Sequence, residues 1–249
     1  MPAVSLRFEG VSRHYGDAVA VDDVSLEIAA GSFVALVGTS GSGKSTLLKM
    51  VNRLVVPSAG RVLIDGRDVA AGPAPALRRR IGYVFQGIGL FPHLTVGENV
   101  AIGARIAGTP ADVGALLDLV ALPRALATRM PADLSGGQRQ RGGIARALAT
   151  GAPLLLLDEA FGALDPVTRD ALGGEIRKLH ERLALTTILV THDMAEALLL
   201  ADRVLVMTAG RIVADATPAS LVRGGGGAAA QALVAVPRHQ AERLRVLGA

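Results

Sequence analysis

The 249-residue sequence has no cysteine and no tryptophan. The lack of cysteine excludes a disulfide scaffold, a thiolate metal site and a cysteine nucleophile. Aromatic residues are only 3% of the chain while apolar residues are 50%, so its core must be built from Leu, Val, Ile and Ala. No window reaches the ~18 consecutive apolar residues from which a membrane span is read. Even Leu154–Leu157 runs straight into Asp158 and Glu159. Neither sign of charge dominates: 26 basic residues face 22 acidic ones, net +4, too mild for the clustered basic face of a nucleic-acid-binding domain. Met1–Ala3 carry neither the basic nor the apolar region of a signal peptide. The chain therefore reads as soluble, cytoplasmic in type and without a nucleic-acid partner. Lysine is scarce too; of the three present, one lies in the glycine loop described below and the other two are expected elsewhere.

Short apolar strands alternate with helical periodicity. Val4–Val11 and Val21–Ile28 alternate apolar and polar residues, as half-buried strands do. Phe33–Val37 is a buried-strand pattern leading through a Gly/Ser loop into a helix over Thr46–Leu54. Arg61–Val69 reads as a hairpin turning at Asp65-Gly66, and Ile81–Gln86 as another strand. Gly97–Val120 has helical spacing with a break at Pro110. Leu154–Leu157 and Thr187–Thr191 are buried strands flanking a helix over Val167–Leu183. Strands alternating with helices imply an α/β fold with a mostly parallel sheet. The strand-rich first ~70 residues add an antiparallel β layer, and residues about 90–150 form an inserted helical subdomain. Gly224–Gly227 followed by Ala228–Ala230 reads as a flexible linker before a short tail.

Gly38-Thr39-Ser40-Gly41-Ser42-Gly43-Lys44-Ser45 fits the pattern G-x-x-x-x-G-K-[ST] between an apolar strand and a helix that opens near Thr46. Glycines let backbone N–H groups curl around phosphates, and the helix N-terminus adds partial positive charge. Lys44 then reaches the β/γ-phosphates and the Ser45 hydroxyl holds Mg²⁺. ATP and Mg²⁺ are the expected cofactors. Asp158 and Glu159 end a buried strand, at the edge where open α/β sheets bind ligands. Asp158 suits Mg²⁺ coordination through water and Glu159 suits polarising an attacking water. His192, at the end of the Thr187–Thr191 strand, either lies on the surface or points into the same crevice and contacts the γ-phosphate.

Leu134-Ser135-Gly136-Gly137-Gln138 resembles the signature of ABC-type ATPases, the nucleotide-binding subunits of ABC transporters. Ser135 and the Gly136 and Gly137 amides precede a helix over Gln138–Thr150 and make a second anion nest, while Ser135 is also an ordinary N-cap. Two nests per chain suggest that nucleotide is clamped between two subunits, a homodimer being the simplest case. By the same resemblance Tyr15 stacks on adenine. Gln86 is the glutamine linking Mg²⁺ to the helical subdomain. Ala163-Leu164-Asp165 is the D-loop, with Asp165 near nucleotide, and His192 is the switch histidine. The resemblance covers about residues 4–223, which makes 1–223 the ATPase domain and 224–249 a linker and tail. It implies the fold of a P-loop NTPase core with an antiparallel layer and a helical insert.

Within the family, the string from Gln86 to Asn99 and the string Phe161-Gly-Ala-Leu-Asp-Pro166 resemble importers of the glycine betaine, choline and carnitine group. That implies permease subunits, an extracytoplasmic solute-binding protein and a place at the cytoplasmic face of the membrane. A DNA-repair relative would need a long heptad insertion between Gln86 and Leu134, where only 47 residues lie. A translation-factor relative would need two such heads, and a small-molecule kinase has no use for the signature. Three departures stand out. Ala160 replaces the usual Pro after the acidic pair. Gly142-Gly143 sit inside a helix, which implies softness or an unusually close neighbour. The paired CBS domains of several osmoprotectant ATPases are not seen in the tail, so such regulation is expected to be absent or supplied elsewhere. Arg78-Arg79-Arg80 reads as a solvated helix face, His93 as part of a surface facing a membrane partner, and Arg238–Arg245 as a basic tail helix.

Overall fold

The computed structural model describes residues 2–87, 89–162 and 164–247. The elements run β1 (Leu6–Tyr15), β2 (Ala18–Ile28), β3 (Phe33–Val37), α1 (Lys44–Val51), β4 (Ala59–Ile64), β5 (Arg67–Asp68), α2 (Ala74–Arg78) and β6 (Ile81–Val84). The chain between β6 and the next strand is helical: α3 (Val96–Ala107), α4 (Val113–Leu119), two 3-10 turns and α5 (Gly136–Leu148). Then follow β7 (Leu154–Asp158), α6 (Pro166–Leu183), β8 (Thr186–Thr191), α7 (Met194–Leu200), β9 (Arg203–Thr208), β10 (Arg211–Ala216), α8 (Pro218–Val222) and α9 (Gly227–Leu247).

Two sheets form. One is antiparallel, in the order β2-β1-β4-β5; the other has the order β10-β9-β3-β8-β7-β6, parallel except for the β9–β10 hairpin. The strands β3 and β7 are apolar without alternation because both faces of the large sheet are covered. Val34, Leu36, Leu154 and Leu156 face one core with α1 and the antiparallel layer. Phe33, Ala35, Leu155 and Leu157 face the other core, with α5, α6, α7 and α9. Helix starts are written in polar caps. Thr95 with Glu98 and Ser135 with Gln138 close reciprocal capping boxes, and Asp165 precedes Pro166.

The α/β architecture, the antiparallel layer and the helical run agree with the sequence reading. The β9–β10 pair was not anticipated. Helix α1 begins at Lys44 rather than Thr46, and α5 at Gly136 rather than Gln138. The flexible-linker reading of 224–230 is corrected. Gly224, Gly226 and Gly227 have positive φ and form a tight turn, and a Cβ at Gly226 would meet Leu221 Cδ2 at 2.6 Å. Glycine here serves conformation rather than looseness. Helix α9 starts at once, its Ala230 and Val234 buried and its first half held by Gln231 Nε2 donating to the Leu221 and Gly225 carbonyls. A Cβ at Gly142 would sit 3.5 Å from Leu90, an ordinary contact, so Gly142 marks no unusually close neighbour. The close approach lies at Gly82, where a Cβ would come within 2.7 Å of the Ala147 carbonyl.

Candidate active site

The phosphate loop is wedged between two strands. A Cβ on Gly43, at φ +101°, would fall 2.0 Å from the Ala20 carbonyl, and one on Gly38 would fall 2.2 Å from the Met207 carbonyl. Glycine is required at both because backbone from β2 and β9 occupies the side-chain space. The Ser42 carbonyl also accepts from the Gly210 amide at 3.1 Å, so the β9–β10 turn buttresses the loop from below. Lys44 is buried, and its Nζ donates to the Gly38 and Thr39 carbonyls, both at 2.8 Å. Burial lowers the Lys44 pKa, an effect partly opposed by Glu159 and Asp158.

Asp158 is the best-held group in the site. It is 1% exposed, takes the Ser45 hydroxyl at 2.6 Å and the Tyr83 hydroxyl at 2.7 Å, and lies 3.5 Å from Lys49 Nζ. Ser45 and Lys49 are four residues apart, hence on one face of α1. Tyr83 pairs with Leu156 across parallel strands, which puts it on the sheet face shared by Asp158. Burial, and then the bond to Asp158, raise the Tyr83 phenol far above its ordinary value. Sequence reasoning missed Tyr83 and Lys49. The available signals were a hydroxyl in an otherwise apolar strand and a lysine one helical turn after Ser45. Two of the three lysines thus converge here, where only one was expected.

Glu159 follows the strand in a left-handed conformation, φ +48°, with its amide donating to the Val190 carbonyl at 3.0 Å. This turn carries its side chain away from Asp158. Gln86 Nε2 donates to Glu159 Oε2 at 3.0 Å, and His192 Nδ1 lies 3.7 Å from the same oxygen. Gln86, Glu159 and His192 are therefore gathered at the ends of β6, β7 and β8, with the His192 side chain more than half exposed. The Gln86 amide rests on Glu159, and no described hydrogen bond joins it to Ser45 or Asp158.

Tyr15 is exposed at the tip of the β1–β2 hairpin, with the Arg13 guanidinium 4.5 Å from its ring centre. Ala20, against which Gly43 packs, lies two residues beyond Ala18, the partner of Tyr15. The signature segment sits apart. Ser135 is exposed, its hydroxyl accepts from the Gln138 amide, and Gln138 Oε1 accepts from the Ser135 amide at 2.9 Å. Gly136 and Gly137 pack toward Leu164 and Thr168. Among the described residues no hydrogen bond or ion pair connects Ser135–Gln138 to the phosphate loop. Asp165 caps α6 through the Thr168 amide, and the Thr168 side chain and then that amide hold its carboxylate below the usual range. Ala163, within the D-loop string, and Ile88, within the Gln86–Asn99 string, lie outside the described residues.

Chemically, the site offers cationic and amide donors at the loop, a hydroxyl and a carboxylate set for a hard cation, and a second carboxylate flanked by an amide and an imidazole. The oxygens of Ser45 and Asp158 suit Mg²⁺, which takes one or two protein oxygens and fills its shell with water and phosphate. Among the described residues no group of three or more His, Cys, Asp or Glu side chains is placed to hold a metal ion by itself.

A glycine loop opening a helix beside an acid-ended parallel strand defines a P-loop nucleotide-binding protein. Comparison with known proteins narrows the class: the family model described as ABC transporter matches residues 21–162, and the chain belongs to that family. It is 47% identical over 224 residues to the choline transport ATP-binding protein OpuBA of Bacillus subtilis (strain 168), covering 88% of this chain and 59% of that one. It is equally 47% identical over 227 residues to the sulfate/thiosulfate import ATP-binding protein CysA 1 of Chromobacterium violaceum, covering 88% and 63%. The chain thus spans about three-fifths of the length of these curated relatives. Among solved structures, the dimeric ATP-binding cassette MJ0796 bound to ADP and Pi superposes with a TM-score of 0.77 at 32% identity, covering 86% of this chain and 98% of that one.

Proposed function

We propose that this chain is the ATP-hydrolysing subunit of a small-solute importer, its cargo a quaternary-amine osmoprotectant such as glycine betaine or choline. The observation that carries the ATPase reading is the convergence of Lys44, Ser45 and Asp158 with Gln86, Glu159 and His192 along one edge of the parallel sheet. Gly38–Thr46 bind the phosphates, with Lys44 on the β/γ oxygens, and Tyr15 stacks on the base. Ser45, Asp158 and Gln86 would hold Mg²⁺, which would supply neutralisation of phosphate charge. Glu159 orients the attacking water and accepts its proton, and His192 contacts the γ-phosphate. Catalysis of this kind is positioning and charge stabilisation.

Ser135, Gly136, Gly137, Gln138 and Asp165 serve the nucleotide of a second copy. The separation of the signature segment from the phosphate loop within one chain supports that reading, and so does the dimeric state of the similar MJ0796 cassette. Residues 1–223 make the ATPase domain, against which α9 packs through Ala230 and Val234. No helix among the described residues is long and apolar enough to cross a membrane. Permease subunits supply the path, a solute-binding protein delivers the cargo, and the chain works at the cytoplasmic face, a reading that rests on the likeness to transport ATP-binding proteins. The name of OpuBA supports a quaternary amine; the equal identity to CysA 1 makes sulfate the rival cargo. A repair-type ATPase is disfavoured because the helices between β6 and β7 reach at most 13 residues, too short for a coiled-coil arm.

The test mixes two inactive variants, Lys44→Ala and Ser135→Arg. Each homodimer carries a defect at both sites, whereas a mixed dimer concentrates both defects in one site and leaves the other whole. Random 1:1 mixing makes about half the dimers mixed, so about a quarter of wild-type turnover should return. ATP occlusion is measured beside turnover, since strict coupling between sites could silence a half-good dimer. No return of either, with subunit exchange verified, sinks the shared-site reading. For the cargo, cells lacking the protein should lose uptake of labelled glycine betaine or choline at high osmolarity; loss of sulfate uptake alone moves the assignment to the rival.

A further inference from the structure

Outside the groups already given a role, one guanidinium ties two of the functional turns together. Arg169 lies one turn into α6, its amide bonded to the Asp165 carbonyl at 2.9 Å. Its Nη2 donates to the Leu164 carbonyl at 3.1 Å. Its Nη1 stands 3.5 Å from the Asp193 carboxylate, and its Nε stands 3.6 Å from Glu196 Oε1. The latter two are ion-pair distances, longer than a good hydrogen bond.

The acceptors of Arg169 bracket His192. Glu196 Oε2 takes the Thr191 hydroxyl at 2.6 Å, and the Thr191 oxygen accepts from the Asp193 amide at 3.0 Å. Asp193 caps α7 by accepting from the Ala195 and Glu196 amides. Both chain neighbours of His192 are thus fixed by a network that ends on Arg169, and Nη2 of the same planar cation holds the residue before Asp165. A guanidinium spans such a gap because its donors fan out in one rigid plane; a lysine ammonium cannot face both sides. Burial pushes the Glu196 carboxyl upward, opposed first by the Thr191 hydroxyl, with Asp193 adding to the rise and Arg169 and His192 opposing it more weakly.

We infer that Arg169 is a positioning residue for ATP hydrolysis, setting the place of His192 relative to the Asp165 turn by clamping Leu164, Asp193 and Glu196 in one plane. The inference rests on the proposed function. It goes beyond that reading in naming a residue which itself touches neither phosphate nor water, and in predicting that the histidine of one turn and the aspartate of the other move as a unit. Since Asp165 is proposed to serve the neighbouring copy, the clamp also links the two sites of a dimer.

The experiment measures steady-state ATP turnover and nucleotide affinity for Arg169→Gln, Arg169→Lys, Glu196→Gln and the double variant Arg169→Gln/Glu196→Gln, with Glu159→Gln as control. Misplacement of a reacting group by ~1 Å can cost about 100-fold, so Arg169→Gln should lose about 10-fold or more in kcat while the KM for ATP stays within about twofold. Arg169→Lys should recover only part of the loss. The double variant should be no worse than the poorer single one, because both cut the same network. A purely structural Arg169 would instead lower thermal stability with kcat intact, or show additive losses with Glu196→Gln; either overturns the proposal. If Arg169→Gln does not fold, Arg169→Lys and Glu196→Gln carry the test, and wild-type kcat in both overturns it. Turnover retained in Arg169→Gln but lost in Glu159→Gln sinks this proposal alone, whereas a wild-type chain with no ATP turnover sinks the functional reading with it.

Discussion

Replacing Tyr83 by Phe removes one oxygen and leaves the ring in place against Phe85, whose ring centre is 4.6 Å away. What is lost is the 2.7 Å hydrogen bond to Asp158 Oδ2. Asp158 is 1% exposed, so water cannot replace the donor. Lys49, at 3.5 Å and about a third exposed, faces the same oxygen only as a screened ion-pair partner. A hydrogen bond to a buried charge contributes about 1.5–3 kcal/mol. A loss of about 2 kcal/mol lowers Tm by about 4–8 °C in a chain of this size. Scanning calorimetry measures it, with urea unfolding at neutral pH as a second estimate.

The same pair makes an alkaline prediction. In the folded protein Tyr83 keeps its proton well above the pH, about 10, at which an unfolded tyrosine ionises. The unfolded state therefore binds fewer protons than the folded state above that pH. The stabilisation is complete below pH about 10 and declines as pH rises past it. Tyr83→Phe should remove that part of the decline. With only two tyrosines in the chain, the difference between wild-type and variant ultraviolet titrations isolates Tyr83. An unchanged Tm together with a difference titration centred near pH 10 would refute the reasoning, because the hydroxyl would then be free of Asp158.

Two further predictions follow from packing. Gly43→Ala should abolish nucleotide binding and destabilise the fold, since its Cβ would press on the Ala20 carbonyl, whereas Gly41→Ala, at φ +78° but with open space around it, should cost only about 1 kcal/mol of backbone strain; equal melting of the two variants would show that the wedge is absent. Val234→Asp should release α9 from β9, β10 and α7 by burying an unpaired carboxylate, exposing the stretch after Gly227 to limited proteolysis; a cleavage pattern identical to wild type would mean that the helix is not docked.

Local chemistry was enough to read much of this protein from its sequence. The phosphate loop, the acid-ended strand Leu154–Asp158 and the cap at Ser135 each announce themselves within a few residues, because backbone conformation and the charge that ends a strand are short-range properties. The helical run after β6 and the antiparallel layer were legible as changes of hydrophobic period. The glycine run at 224–227 was misread for the opposite reason: composition distinguishes a loose segment from a tight turn only when the partner that fills the turn, here Leu221, is known. The sequence set which side chains could do chemistry; the tertiary structure decided which of them meet. Tyr83, Ser45, Lys49 and Asp158 come from three elements, and only the parallel register of β6 beside β7 and the seat of α1 on that sheet face bring them to one carboxylate. Arg169 likewise gains its three acceptors from segments up to 27 residues away. Contacts of that range depend on how the sheet is ordered and how helices lie on it, and no local pattern of residues encodes them.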